Sequence, residues 1–188
     1  QWALPIDAAT QVQAWVPGRL AGPLHTWDDV LALARTGGLG LPLRAPHSLM
    51  SLFSLCGLEG VPLDVQGPDL FPAAAASAYD RLLQLAELVD PVAYDQDPIA
   101  LLDAMGAADS VIAGSPLIYG YVSYALDGFR PARIAFHDLP SCGSAGPAGS
   151  ALGGTGLAVS AASAHRAEAA AFAQWVASGT IQADLYAP

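Results

Sequence analysis

Asp95 and Asp97 form an Asp-x-Asp pair, a spacing that can place two carboxylates on one divalent cation, as a sugar- or nucleotide-modifying enzyme would need. Pro98 follows directly, so Asp97 also has the position of a helix cap ahead of a first-turn proline. His137 and Cys142 are the residue types of a thiol–imidazole pair, yet nothing near them marks a third, orienting group. The four histidines, His25, His47, His137 and His165, have no i, i+4 or short-gap partner, so no metal-binding run is visible. Ser150 lacks the G-x-S-x-G surroundings of a strained nucleophile turn. Gly154-Thr155-Gly156 looks like part of a nucleotide fingerprint. However, the glycines of residues 147–161 are expected to precede an apolar strand at Leu157 to Val159 rather than to follow one and open a helix. A glycine pair ahead of a strand suits close approach of backbone groups to a bound molecule.

Composition narrows the choice further. All seven basic residues are arginine, and 17 acidic residues bring the formal net charge to −10, a field that repels nucleic acid. The absence of lysine removes phosphate-loop and Schiff-base chemistry. Cys56 and Cys142 have no CxxC spacing, so no zinc ribbon or redox dithiol is indicated, and their pairing is left open. The 188 residues suffice for one domain with a substantial core. Hydrophobic residues make up 53%, much of it alanine, and no apolar run approaches the roughly 20 residues of a membrane span.

The elements that must position these residues alternate. Residues 2–6 and 11–16 read as extended. Thr26-Trp27-Asp28-Asp29 is a capping box opening a helix to about Arg35, which Gly37-Gly38 ends. Leu39 to Arg44 is a predicted strand, and Pro46 opens a helix through Leu58. Residues 60–70 form a loop. A helix from about Pro72 to Val89 is expected to turn Tyr79, Leu82, Leu83, Leu85, Ala86 and Val89 inward. Asp97-Pro98 starts a short helix to Gly106, and Ser110 to Ala113 reads as a buried strand. Gly114-Ser115-Pro116 is expected to open a further helix carrying Tyr119, Tyr121 and Tyr124, with a strand at Arg133 to Phe136 after it. Residues 138–154 read as a linker. Ala169, Phe172, Ala173 and Val176 then recur at helical spacing. This alternation predicts an α/β domain with a mostly parallel sheet flanked by helices.

In such a sheet ligands gather where helix N-termini meet strand ends. Arg44-Ala45-Pro46-His47-Ser48 and Gly114-Ser115-Pro116 fall at such places, with Tyr119 and Tyr121 adding aromatic faces that also carry hydroxyls. Donors beside aromatic rings suit a polyhydroxylated ligand.

The segments ALPIDAATQVQAWVPGRL, TWDDVLALA, LPLRAPHSLM, SPLIYGYVSYA and LGGTGLAVSAASAHRAEAAAFAQWVASGTIQADLYA, in that order, resemble the family 1 extracellular solute-binding proteins of ABC importers, the maltose-binding-protein group. The resemblance covers nearly the whole chain. It implies one lobe of a type II periplasmic-binding-protein-like fold, the family having two α/β lobes joined by hinge strands. Residues 1–137 would be the ligand-binding lobe with a first hinge crossing near Trp2 to Asp7. Residues 138–154 would be a crossing segment, and 155–188 a strand and helix that return to the other lobe. On this reading the chain is an excised second lobe.

The resemblance also implies a function and a site. Asp7, Arg44, His47, Tyr119, Tyr121, Gly153, Gly154 and Thr155 become ligand-binding candidates: Tyr119 or Tyr121 for ring stacking, Arg44 and Asp7 for hydroxyl or carboxylate recognition, the Gly153-Gly154 backbone for hydrogen bonds, and His47 for a pH-sensitive contact. Leu117 and Tyr119 stand where relatives often place a tryptophan. The implied role is non-catalytic capture of a sugar or polyol, without cofactor or metal, for delivery to a membrane permease from an extracytoplasmic site, periplasmic or lipid-anchored at the cell surface. An isolated lobe is expected either to self-associate through residues 148–188 or to fold that segment back onto its own sheet.

Overall fold

The computed structural model describes residues 3–64, 66–143 and 149–185. Trp2, at the start of the expected crossing, residues 144–148 of the expected linker, and the terminal Tyr186-Ala187-Pro188 lie outside them. The chain divides into two compact units, residues 10–151 and residues 1–9 with 152–188.

The larger unit begins with strand β1 (Leu4–Trp15), one continuous run where two extended pieces were expected. Its second half lies here. Helix α1 (Trp27–Arg35) starts at the capping box read from sequence: Asp29 N–H donates to Thr26 Oγ1 at 3.2 Å and Thr26 N–H to Asp29 Oδ2 at 2.9 Å. Residues 39–43 are buried and extended but belong to no strand. They pair only through single bonds, Gly40 N to Gly114 O, Leu43 N to Ala93 O and the following Arg44 N to Gln96 O. Helix α2 (His47–Leu58) follows Pro46 as expected. Helix α3 (Ala76–Leu88) comes after a 3-10 turn at Ala73–Ala75. It buries Ala78, Leu82 and Leu85, whereas Tyr79 and Leu83, expected inside, are exposed. Helix α4 (Pro98–Gly106) is capped by Asp97, whose Oδ1 accepts from Ala100 N at 2.9 Å.

Gly114-Ser115-Pro116 opens no helix: Gly114–Tyr119 is strand β2, and Ser110 to Ala113 is irregular, with Val111 exposed. Successive residues of β2 enter two different cores. Leu117 joins Trp27, Val30, Leu41, Leu55 and Leu85 under α1, α2 and α3, while Ile118 joins Val16, Leu101, Leu102, Met105 and Ile134 under α4. A strand buried on both faces shows no alternation in sequence, which is why the cap-like Gly-Ser-Pro signal misled. Pro116, which cannot donate to a ladder, sits at a register shift. Val12 opposes Ile118 but Ala14 opposes Ser115, so β2 carries one extra residue there.

Strand β3 (Ala135–His137), one to two residues later than expected, completes the order β2-β1-β3. Both pairings with β1 are antiparallel, correcting the expected mostly parallel sheet. Isolated bridges, such as Leu39 with Gly114 and Thr26 with Ser141, are parallel. The layering of helices on both sheet faces is nonetheless that of an α/β lobe.

In the smaller unit, the glycines do not precede a strand but form one. Strand β4 (Leu152–Leu157) pairs with β1, and Ala158 and Val159 lie beyond it. Helices α5 (Arg166–Val176) and α6 (Gly179–Leu185) follow; Ala173 is the one buried residue of α5, and α6 has none.

Candidate functional site

The larger unit brings three of the predicted residues together. His47 opens α2 and Tyr119 ends β2, and their rings meet edge to face with centroids 6.5 Å apart. Arg44, three residues before His47, lies 3.6 Å from Asp97 Oδ2 through Nη1, an exposed pair worth no more than about 1 kcal/mol. Asp97 therefore caps α4 through one oxygen and faces Arg44 through the other. Among the described residues no group of three or more His, Cys, Asp or Glu could hold a metal ion, and the Asp95–Asp97 pair gains no further ligand.

The electrostatics of this cluster follow from burial. Burial lowers the His47 pKa, Asp97 partly offsetting this and Arg44 adding to it, and burial raises that of Tyr119. His47 Nδ1 is buried with no hydrogen-bond partner among the described residues, a polar atom left for a ligand or solvent group to satisfy. The Tyr119 hydroxyl donates to Ala151 O at 3.2 Å. Tyr121 lies beyond the end of β2 and keeps 43% of its surface exposed.

A polar network that sequence reasoning missed holds this corner. Gln11 and Gln13 are buried on β1, where their i, i+2 spacing was the only signal. Ser54 Oγ donates to Gln11 Oε1 at 2.6 Å and accepts from Ala151 N at 2.9 Å. Gln11 Nε2 donates to Ser51 Oγ at 3.3 Å, and Ser150 Oγ to Gln11 O at 2.9 Å. Ala151, the acceptor of Tyr119, is thus fixed from α2. Ser150 and Ala151 of the predicted linker are thus hydrogen-bonded to β1, α2 and β2.

The remaining candidates belong to the smaller unit. Asp7 lines an open concavity of about 420 Å³ with Pro5, Ile6, Ala8 and Gln182. Gly154 adopts a φ of 154°, and a Cβ there would collide with Asp7 O, so glycine serves the approach of β4 to β1. Gly153 is half-buried and Thr155 exposed. Elsewhere in the larger unit, a concavity of about 410 Å³ is lined by Leu39, Leu41, Val89, Val92, Gln96 and Val111; Arg44, His47 and Tyr119 do not line it.

Comparison with known proteins identifies the architecture. A solute-binding protein of an ABC transporter from Agrobacterium radiobacter K84, solved with ribitol, matches with a TM-score of 0.74 at 17% identity, over 97% of this chain and 50% of that one. One from Agrobacterium vitis S4, with bound D-mannitol, matches with a TM-score of 0.71 at 17% identity, over 98% and 50%. The maltotriose-binding protein of Thermus thermophilus, bound with maltotriose, matches with a TM-score of 0.64 at 21% identity, over 96% and 50%. The fold is that of one lobe of a periplasmic-binding-protein-like solute-binding protein. The chain spans about half the length of these structures. No protein-family model matches it, and no curated protein does.

Proposed function

We propose that the chain is the second lobe of an ABC-importer solute-binding protein and that it helps to hold a sugar or polyol without transforming it. The observation that carries this reading is the match of 97% of the chain to half of a ribitol-bound solute-binding protein at a TM-score of 0.74. The larger unit supplies suitable chemistry. Tyr119 offers an aromatic edge beside His47, Arg44 offers donors, and Tyr121 stands exposed nearby in sequence. Asp7, Gly153, Gly154 and Thr155 are candidates within the smaller unit. Residues 155–188 would return to the other lobe, and delivery would be to a membrane permease from an extracytoplasmic location. No helix among the described residues is long and apolar enough to cross a membrane.

The test is a thermal-shift panel of sugars and polyols on the two-lobe polypeptide, followed by calorimetry of Arg44→Ala, His47→Ala and Tyr119→Ala variants. A ligand that binds only the native state raises its melting temperature. We expect one class of polyol to do so, with binding weakened at least tenfold by Tyr119→Ala. Mg²⁺ or Mn²⁺ binding abolished by Asp95→Asn would instead favour the metal-dependent enzyme reading.

A further inference from the structure

Helix α2 meets the sheet through a polar stripe. His47, Ser51 and Ser54 stand at i, i+4 and i+7, on one face of the helix, and Ser51 and Ser54 are fully buried. Gln11 of β1 and Tyr119 of β2 are paired in register, so their side chains leave the same face of the sheet. The stripe is matched contact by contact: His47 meets the Tyr119 ring, Ser51 Oγ accepts from Gln11 Nε2 at 3.3 Å, and Ser54 Oγ donates to Gln11 Oε1 at 2.6 Å.

Residues 149–151 are seated along the same helix. Ala151 N–H donates to Ser54 Oγ at 2.9 Å, Ala151 O accepts from the Tyr119 hydroxyl at 3.2 Å, and Ser150 Oγ donates to Gln11 O at 2.9 Å. Three positions beyond Ser54, a Cβ on Gly57 would lie 3.2 Å from the Gly149 carbonyl carbon, so glycine lets this segment approach α2. The Tyr119 hydroxyl therefore takes its acceptor from a backbone that α2 holds in place. Ala151 is the last residue of the larger unit and Gln11 its second, so the same bonds close that unit at both ends.

From this geometry we propose that Gln11, Ser54 and Gly57 are positioning residues for Tyr119: by seating residues 149–151 on α2 they fix the carbonyl that orients the Tyr119 hydroxyl, and with it the ring beside His47. That Tyr119 meets a solute rests on the proposed function, whereas its titration reads the relay with no solute present. A hydroxyl that donates to a carbonyl holds its proton more tightly, in the same direction as the burial that raises the Tyr119 pKa.

The test is a pH titration by NMR of the 188-residue chain carrying tyrosine labelled with carbon-13 at Cζ, with Tyr119 assigned by its loss in Tyr119→Phe, comparing wild type with Ser54→Ala and Gly57→Ala. Tyr124, which belongs to the core under α4 and titrates at about 12, is the internal reference. We expect Tyr119 to titrate above the ordinary tyrosine value in the wild type and lower in both variants, more so in Ser54→Ala, with Tyr124 unchanged. The Ala151 amide, protected in the wild type, should exchange about tenfold faster or more in Ser54→Ala. Gly57→Ala deletes no hydrogen bond and adds a good helix former, so it carries the test where Ser54→Ala fails to fold, which far-ultraviolet circular dichroism reads. An unprotected Ala151 amide in the wild type overturns the proposal, as does a Tyr119 titration unchanged in either folded variant. A joint shift of Tyr119 and Tyr124 also overturns it, because general loosening would move both.

Discussion

The two units of the chain are built on different terms. In residues 10–151, side chains such as Leu41, Leu55, Leu101, Met105 and Leu117 are wholly buried, and even the polar Gln11, Gln13 and Ser54 are enclosed and bonded. In the smaller unit Ala173 is the buried hydrophobic residue among those described, while Phe172 and Trp175, in ring contact with each other, remain 59% and 56% exposed. Burial of apolar area is the main source of stability, at about 25 cal/mol per Å². The larger unit therefore buries most of the apolar area among the described residues, while Phe172 and Trp175 of α5 keep theirs exposed.

Mutations should separate the units. Leu55→Ala, which empties a fully buried site between α2 and β2, is expected to cost about 2 to 5 kcal/mol in chemical denaturation. Phe172→Ala should change stability by about 0.5 kcal/mol or less. Equal losses would mean that the smaller unit is packed as tightly as the larger, and the contrast would fail. Gln13→Ala is next in size, at about 2 to 3 kcal/mol, because it leaves the buried Leu24 N and Leu24 O without their partner and removes the bond to Asp138 O. Gly154→Ala should loosen β4 while leaving the larger unit intact, read as faster amide hydrogen exchange in residues 152–157 with unchanged protection in α2 and α4.

Two further effects are read as a dependence on pH. The His47 pKa is lowered chiefly by burial, so the folded state disfavours the charged ring. Stability should fall as pH drops below the unfolded value near 6.5, and His47→Gln should remove that part of the dependence. At the other extreme, burial and the Asp103 hydrogen bond push Tyr124 up to about 12. Its contribution is complete below the unfolded value of 10 and is lost as pH rises towards 12; Tyr124→Phe should flatten the denaturation profile there.

These same residues show what the sequence could convey. Local signals held: the Thr26–Asp29 capping box, Asp97-Pro98 at the start of α4, Pro46 before α2, and the helical period of residues 166–176 are each decided by neighbours a few positions apart. Signals that depend on tertiary context did not. Gly114-Ser115-Pro116 has cap chemistry but lies in a strand buried on both faces, and the glycines near 154 look like a loop until β1 is set beside them. Of the candidate residues, Arg44, His47 and Tyr119 were named from sequence, and the structure sets His47 beside Tyr119, although Tyr119 was expected on a helix and ends β2 instead. Gln11, Gln13 and Ser54, which fix their surroundings, were not, because an isolated polar residue in a strand does not reveal that its partners come from distant segments.

The most direct test of the central claim is calorimetry of one polyol or sugar, chosen by the thermal-shift panel, against the 188-residue chain and against the two-lobe polypeptide side by side. Closure between two lobes supplies the desolvation that such ligands need for tight binding. The account predicts saturable binding by the two-lobe polypeptide and at least hundredfold weaker binding, or none, by this chain alone. Nanomolar binding by the 188-residue chain on its own would contradict it.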